Sequence, residues 1–132
     1  MAHMKTKIGE YAIILNSKNE FLMLQFKKYH EFKWHFPGGR LDEGEEAMEG
    51  LIREVKEEAG LDIYDLKPVL TKIFTDERKY GVFFTAKVKE PYEVKISHEH
   101  QDFKWFKKTD LDSIDFWQPF YKNLIKEKVF DL

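Results

Sequence analysis

The chain has 132 residues, 42% of them hydrophobic and including twelve Phe, which is enough to fill one core without metal or disulfide staples. It has no cysteine, so disulfides and thiolate metal sites are excluded, and no apolar run is long enough to span a bilayer; a cytoplasmic protein with no membrane partner is expected. A net charge of −2 provides no global basic field for long nucleic acid, so a polyanionic ligand needs metal ions to help hold it. Met1-Ala2-His3-Met4 has no apolar signal core and reads as an expression remnant, residues 1–4, ahead of a single domain over 5–132; His3 carries no chemistry.

Ile8 to Leu15 and Phe21 to Phe26 are mostly apolar, and Asn16-Ser17-Lys18-Asn19 between them supplies turn chemistry, so a β-hairpin is expected. Lys27 to Lys33 is polar, Trp34-His35-Phe36 is aromatic, and Pro37-Gly38-Gly39 breaks regular structure into a loop. From about 45 to 59 the residues Ala47, Met48, Leu51, Ile52, Val55 and Ala59 recur at spacings of three and four, predicting a helix with one buried stripe that Gly60 ends. Val69 to Thr75 and Tyr80 to Val88 flank a polar Asp76-Glu77-Arg78-Lys79 turn and predict a second hairpin. Lys89 to Gln101 is expected to be a long loop, Asp102 to Phe106 a short strand, and about 116 to 129 a C-terminal helix with Trp117, Phe120, Tyr121, Leu124, Ile125 and Val129 on its apolar side. Strands interleaved with one central and one late helix predict an α+β, layered α/β/α domain without internal repeats.

Arg53-Glu54-Val55-Lys56-Glu57-Glu58 carries the densest chemistry, because Glu54, Glu57 and Glu58 stand at i, i+3 and i+4 and share one helical face. Like charges at this spacing repel by a few tenths of a kcal/mol per pair, roughly, unless a positive group sits on them. Mg²⁺ suits such a face, being held by a few carboxylates together with water and substrate phosphate. Taken alone, the same pattern describes an ordinary solvated acidic face. Gly50 stands inside this helix, where it costs roughly 1 kcal/mol relative to Ala, and reads as a close-packing site.

The frame around these carboxylates decides between the two readings. Gly39, then Glu45, then Arg53-Glu54-Val55-x-Glu57-Glu58-x-Gly60-Leu61 matches the Nudix box at each defined position, a coincidence on the order of 10⁻⁸ at any one start for residues of about 7% background. The chain therefore resembles the Nudix hydrolases, a resemblance that extends in element order over nearly its whole length and implies an α/β/α sandwich with a mixed β-sheet. It implies hydrolysis of a pyrophosphate bond in a nucleoside diphosphate derivative by metal-activated water, with Mg²⁺ as cofactor and Mn²⁺ as a substitute. By the same resemblance Glu54, Glu57 and Glu58 are metal ligands, the Gly39 carbonyl adds another, and Arg53 pairs with Glu45 to position the helix. Gly38 and Gly39 let backbone approach metal or phosphate closely.

Two kinds of base are implied: Glu54 in the box, or a later-loop glutamate, here Glu99 in Ser97-His98-Glu99-His100-Gln101, which is also a candidate metal ligand. If that segment is extended, His98 and His100 point away from Glu99, so either the carboxylate or the imidazoles face the metals. Arg40 beside the glycines and Arg78 or Lys79 at a hairpin tip are candidate phosphate contacts, each equally at home as a solvated charge. Trp34 and Phe36 are candidate platforms for a base, Phe36 fitting the core as well. Trp34-x-Phe36-Pro37 and the Ser97 to Trp105 pattern resemble diadenosine tetraphosphate hydrolases, whereas Gly38-Gly39 resembles the (d)NTP enzymes more than the Lys-Gly usual in the former. Alternatives on the same fold are a non-catalytic nucleotide sensor, an ADP-ribose or nucleotide-sugar pyrophosphohydrolase, an RNA 5′-end pyrophosphohydrolase and, last, an isoprenoid-type isomerase. Many members of the family form homodimers, and the apolar pattern does not separate an interface from a core.

Overall fold

A computed structural model describes residues 2–27 and 32–131. Part of the polar stretch expected from Lys27 to Lys33, and Met1 of the expected remnant, lie outside the described residues. The first hairpin is formed by β1 (Lys7–Leu15) and β2 (Phe21–Phe26), which meet antiparallel at Leu15 and Phe21. Asn16 builds its turn, its side-chain oxygen accepting from the backbone N–H groups of Lys18 and Glu20.

The loop expected at Pro37–Gly39 is a short strand instead, β3 (Gly38–Arg40), antiparallel to β1 with Gly9, Glu10 and Tyr11 facing Arg40, Gly39 and Gly38. Glycine is required at 38: its φ is +150°, and a Cβ there would lie 2.1 Å from the Glu10 carbonyl oxygen. The central helix, α1 (Ala47–Ala59), starts two residues later than 45, with Glu46 as its extended N-cap, and ends as expected on Gly60 in the left-handed region. The second hairpin pairs β4 (Ile63–Phe74) with β5 (Lys79–Val88); β4 begins well before Val69 because irregularities in register around Tyr64 to Leu70 carry it past Pro68 on the sheet edge. β6 (His100–Phe106) begins two residues before Asp102 and pairs with β2.

The strand order β4-β5-β1-β2-β6, with β1 parallel to β5 and the other pairs antiparallel, makes a mixed sheet, and β3 pairs with β1 beside this path. The C-terminal helix, α2 (Phe120–Lys128), is shorter than 116–129. Pro119 disfavours helical backbone at Gln118, and the Trp117 N–H is spent on the Trp34 carbonyl, so Phe116 bridges to Trp34 and Trp117 lies in a bend. An unforeseen 3₁₀ turn occupies Lys108–Ser113.

Alternation along β1 divides the core. Ala12 and Ile14 pack with Leu22, Leu24, Leu51, Val55 and Ala59 under α1, while Tyr11 and Ile13 pack with Phe21, Phe83, Tyr121, Leu124 and Ile125 under α2. The fold is the expected α/β/α sandwich. Among the described residues no helix is long and apolar enough to cross a membrane.

Candidate active site

The site lies where α1 crosses the β1–β3 pair. Arg53 organises its upper edge: Nε donates to Glu45 Oε2 at 2.7 Å and Nη2 to Glu45 Oε1 at 3.0 Å, the two-pronged pair that a guanidinium makes and an ammonium does not. The same group reaches Glu57 through Nη1 at 3.2 Å, and Glu54 and Asp42 through Nη2, each at 3.2 Å. Glu45 thereby keeps its proton affinity below the ordinary carboxylate range, and Arg53 is held more firmly charged than a free guanidinium.

Glu54 and Glu58 are drawn inward while Glu57 stays exposed. Burial raises the Glu54 pKa against the lowering pull of Arg53. Glu58 accepts from the Gly38 N–H at 3.1 Å, yet burial, with the charges of Glu54, Glu99 and Glu57 behind it, pushes its pKa up to about 8. Gly39 carries no side chain where Glu54 needs room; a Cβ at 39 would stand 2.8 Å from the Glu54 carboxyl carbon and Oε2. Among the described residues no three acidic or histidine side chains form a ready cation cage. Arg53 is bonded to two of the box carboxylates, Glu54 and Glu57.

The connection after β5 brings Glu99 to this end of α1. The Ser97 N–H donates to the Glu58 carbonyl at 2.9 Å, and Glu99 is among the charges raising the Glu58 pKa. His98 and Glu99 sit in a turn closed by the His100 N–H on the Ser97 carbonyl, so the extended alternation considered above does not apply. His100 is buried and belongs to packing: its ring lies 5.1 Å from Phe26 and 5.3 Å from His35, its Nδ1 meets Ser97 Oγ at 3.1 Å, and burial lowers its pKa.

Three candidate substrate contacts need correction or restriction. Phe36 is 1% exposed and tilted against Tyr121 at 4.5 Å, inside the aromatic core, so it is no platform for a base. Lys79 is no hairpin-tip phosphate contact: its ammonium is paired with Glu77 at 3.0 Å and lies over the rings of Phe74, Tyr11 and Trp117. Trp34 is half-buried, edge-on to Phe106 at 5.0 Å. Arg40 is exposed and lines an open cleft with Lys7 and Asp42 to Glu45, directly beside the Arg53 network. Arg78 is exposed in a left-handed turn, where its carbonyl accepts from Lys7 N–H and the Thr6 hydroxyl.

One residue escaped the sequence reading. Glu10 on β1 is fully buried, and neither of its carboxylate oxygens has a hydrogen-bond partner. Desolvation, then the charges of Glu54 and Glu45, pushes its pKa up to about 8. The signal was an acid in alternation with Ala12 and Ile14 along an otherwise apolar strand. Glu10 also explains Gly50, whose Cβ would come within 2.8 Å of both Glu10 Oε1 and Glu45 Oε1.

Residues 6–128 match the family model described as the NUDIX domain. The chain belongs to the Nudix family. It is 37% identical over 106 residues to the asymmetrical bis(5′-nucleosyl)-tetraphosphatase of Caenorhabditis elegans, covering 76% of each chain. It is 36% identical over 95 residues to the nucleoside triphosphatase NudI of Escherichia coli, covering 63% of this chain and 67% of that one. A solved binary complex of a C. elegans Ap4A hydrolase superposes with a TM-score of 0.74 at 29% identity, covering 90% of this chain and 93% of the other. This Nudix protein is a pyrophosphohydrolase.

Proposed function

We propose that this Nudix hydrolase uses Mg²⁺ to cleave a phosphoanhydride in a nucleoside polyphosphate, dinucleoside polyphosphates being the first class. The observation that carries the reading is that Glu54 and Glu58 meet the glycine strand β3 from one face of α1, with Glu57 held beside them by Arg53. The donors are all oxygen, and Glu58 and Glu54 are desolvated carboxylates with raised pKa, which suits a hard divalent cation. When bound, the cation neutralises phosphate charge and makes water a better nucleophile at neutral pH. Glu54, Glu57, Glu58 and the Gly39 carbonyl would hold it.

The remaining work falls to the protein's own groups. Arg53, bound to Glu45, fixes the position of Glu54 and Glu57 and offsets the repulsion between them. Glu99, beside Glu58, accepts the proton of the attacking water or completes the ligand set, with Glu54 as the alternative base. Arg40 on the cleft rim meets substrate phosphate, Arg78 being a more distant candidate, and the open part of Trp34 receives a base. Similarity to the C. elegans tetraphosphatase supports the dinucleoside class. A second reading, (d)NTP hydrolysis, is favoured by Gly38, where no side chain fits, and by similarity to NudI.

The test is incubation with Mg²⁺ and a panel of dinucleoside polyphosphates, (d)NTPs, ADP-ribose and nucleotide sugars, with Glu57→Gln as control and products separated by chromatography. Turnover that the variant loses supports the reading and names the class. Nucleotide binding without turnover on any member would replace it with the sensor reading.

A further inference from the structure

Two glycines on different elements stand against the carboxylates around Glu10. Gly50 on α1 leaves room where Glu10 Oε1 and Glu45 Oε1 converge, and Gly39 on β3 leaves room for the Glu54 carboxylate. Glu10 and Gly39 are direct partners across β1 and β3, and directly opposed residues in an antiparallel pair point to the same face. Glu10 therefore projects toward α1, against Gly50. Three carboxylates gather there, and one of them is fully desolvated without a donor. Arg53 leaves it unsatisfied, because its nitrogens are bonded to Glu45, Glu54, Glu57 and Asp42. On the sheet side, Val82 of β5 faces Glu10 in register and offers no polar atom.

We propose that Glu10 is a further ligand for a divalent cation at this site, its carboxylate acting with that of Glu54. A buried carboxylate without a partner is costly as an anion and keeps its proton until a cation takes the proton's place, and an all-oxygen setting selects a hard cation. Glu10 lies outside the box, on β1, so it would tie the cation to the sheet as well as to the helix.

The inference rests on the proposed cation dependence, and the experiment separates the two. Free Mn²⁺ is titrated by electron paramagnetic resonance against wild type, Glu10→Gln, Glu10→Leu and Glu57→Gln, without nucleotide. Thermal unfolding in EDTA and in Mn²⁺ is recorded for each. Wild type is expected to bind Mn²⁺, and either Glu10 variant that folds is expected to bind it about 10-fold or more weakly. Both should unfold at or above the wild-type temperature in EDTA yet gain less from Mn²⁺. If wild type and both Glu10 variants bind Mn²⁺ alike while Glu57→Gln is weakened, Glu10 is no ligand and the box reading survives. If wild type binds no Mn²⁺, the box reading itself fails.

Discussion

The two faces of the sheet are built from alternate residues of the same strands, yet they solve different problems. Under α2 the packing is aromatic: Phe36, Phe83, Tyr121 and Phe120 meet edge-on or tilted at 4.5 to 6.2 Å. Under α1 it is mainly aliphatic, with Leu51, Val55, Ala12 and Ile14 beside Phe84, and it ends in carboxylates that burial disfavours. The aromatic face supplies stability through burial and ring contacts. The carboxylate end withholds some, because its carboxylates are desolvated and repel one another. Activity and stability should therefore respond in opposite ways to substitutions on the two faces.

The largest separation is expected from Glu58→Gln. kcat/KM should fall on the order of 10³-fold, about 4 kcal/mol of transition-state stabilisation, while the metal-free protein at pH 8 unfolds no earlier than wild type. Parallel kinetics and calorimetry check both halves; a large loss of stability would break the contrast. Phe36→Ala should do the reverse, costing about 3 kcal/mol of stability through a cavity in the aromatic core, with residual kcat per folded molecule close to wild type.

A smaller effect is expected from pH. Glu10 and Glu58 titrate near 8 in the folded chain against an ordinary 4.5, so the folded state holds their protons to higher pH than the unfolded state does. This contribution to metal-free stability is fully present below about 4.5 and is lost as pH rises through about 8. Denaturant titrations in EDTA across pH 5 to 9 should show the decline, and the Glu10→Gln, Glu58→Gln double variant should flatten it. The smallest effect belongs to Tyr121→Phe. The Tyr121 hydroxyl is buried without a partner, so removing it should change stability by less than about 1 kcal/mol and leave activity alone. A larger loss would mean that the aromatic face also depends on a polar contact.

Much of this organisation was legible in the residues alone. The three-and-four spacing from Ala47 to Ala59 and the terminal Gly60 locate α1, and the spacing of Glu54, Glu57 and Glu58 places all three on one face. The box frame names the family, and the resemblance it carries implies the Arg53 to Glu45 pairing that the structure shows. Helix and strand limits were less legible. Gly38 to Arg40 becomes a strand only because β1 offers it partners, and α2 starts late because Trp117 is claimed by Trp34.

What the sequence by itself determined is the local chemistry: an acidic helix face, a glycine stretch before it, and enough apolar residues to fill a core. What only the tertiary structure decided is which distant groups share that chemistry. Phe36 turned inward, Glu99 came beside Glu58, and Glu10 arrived under Gly50 from forty positions away. The physical reason is that periodicity assigns a residue to a face of its own element, whereas burial and charge coupling depend on the element packed opposite.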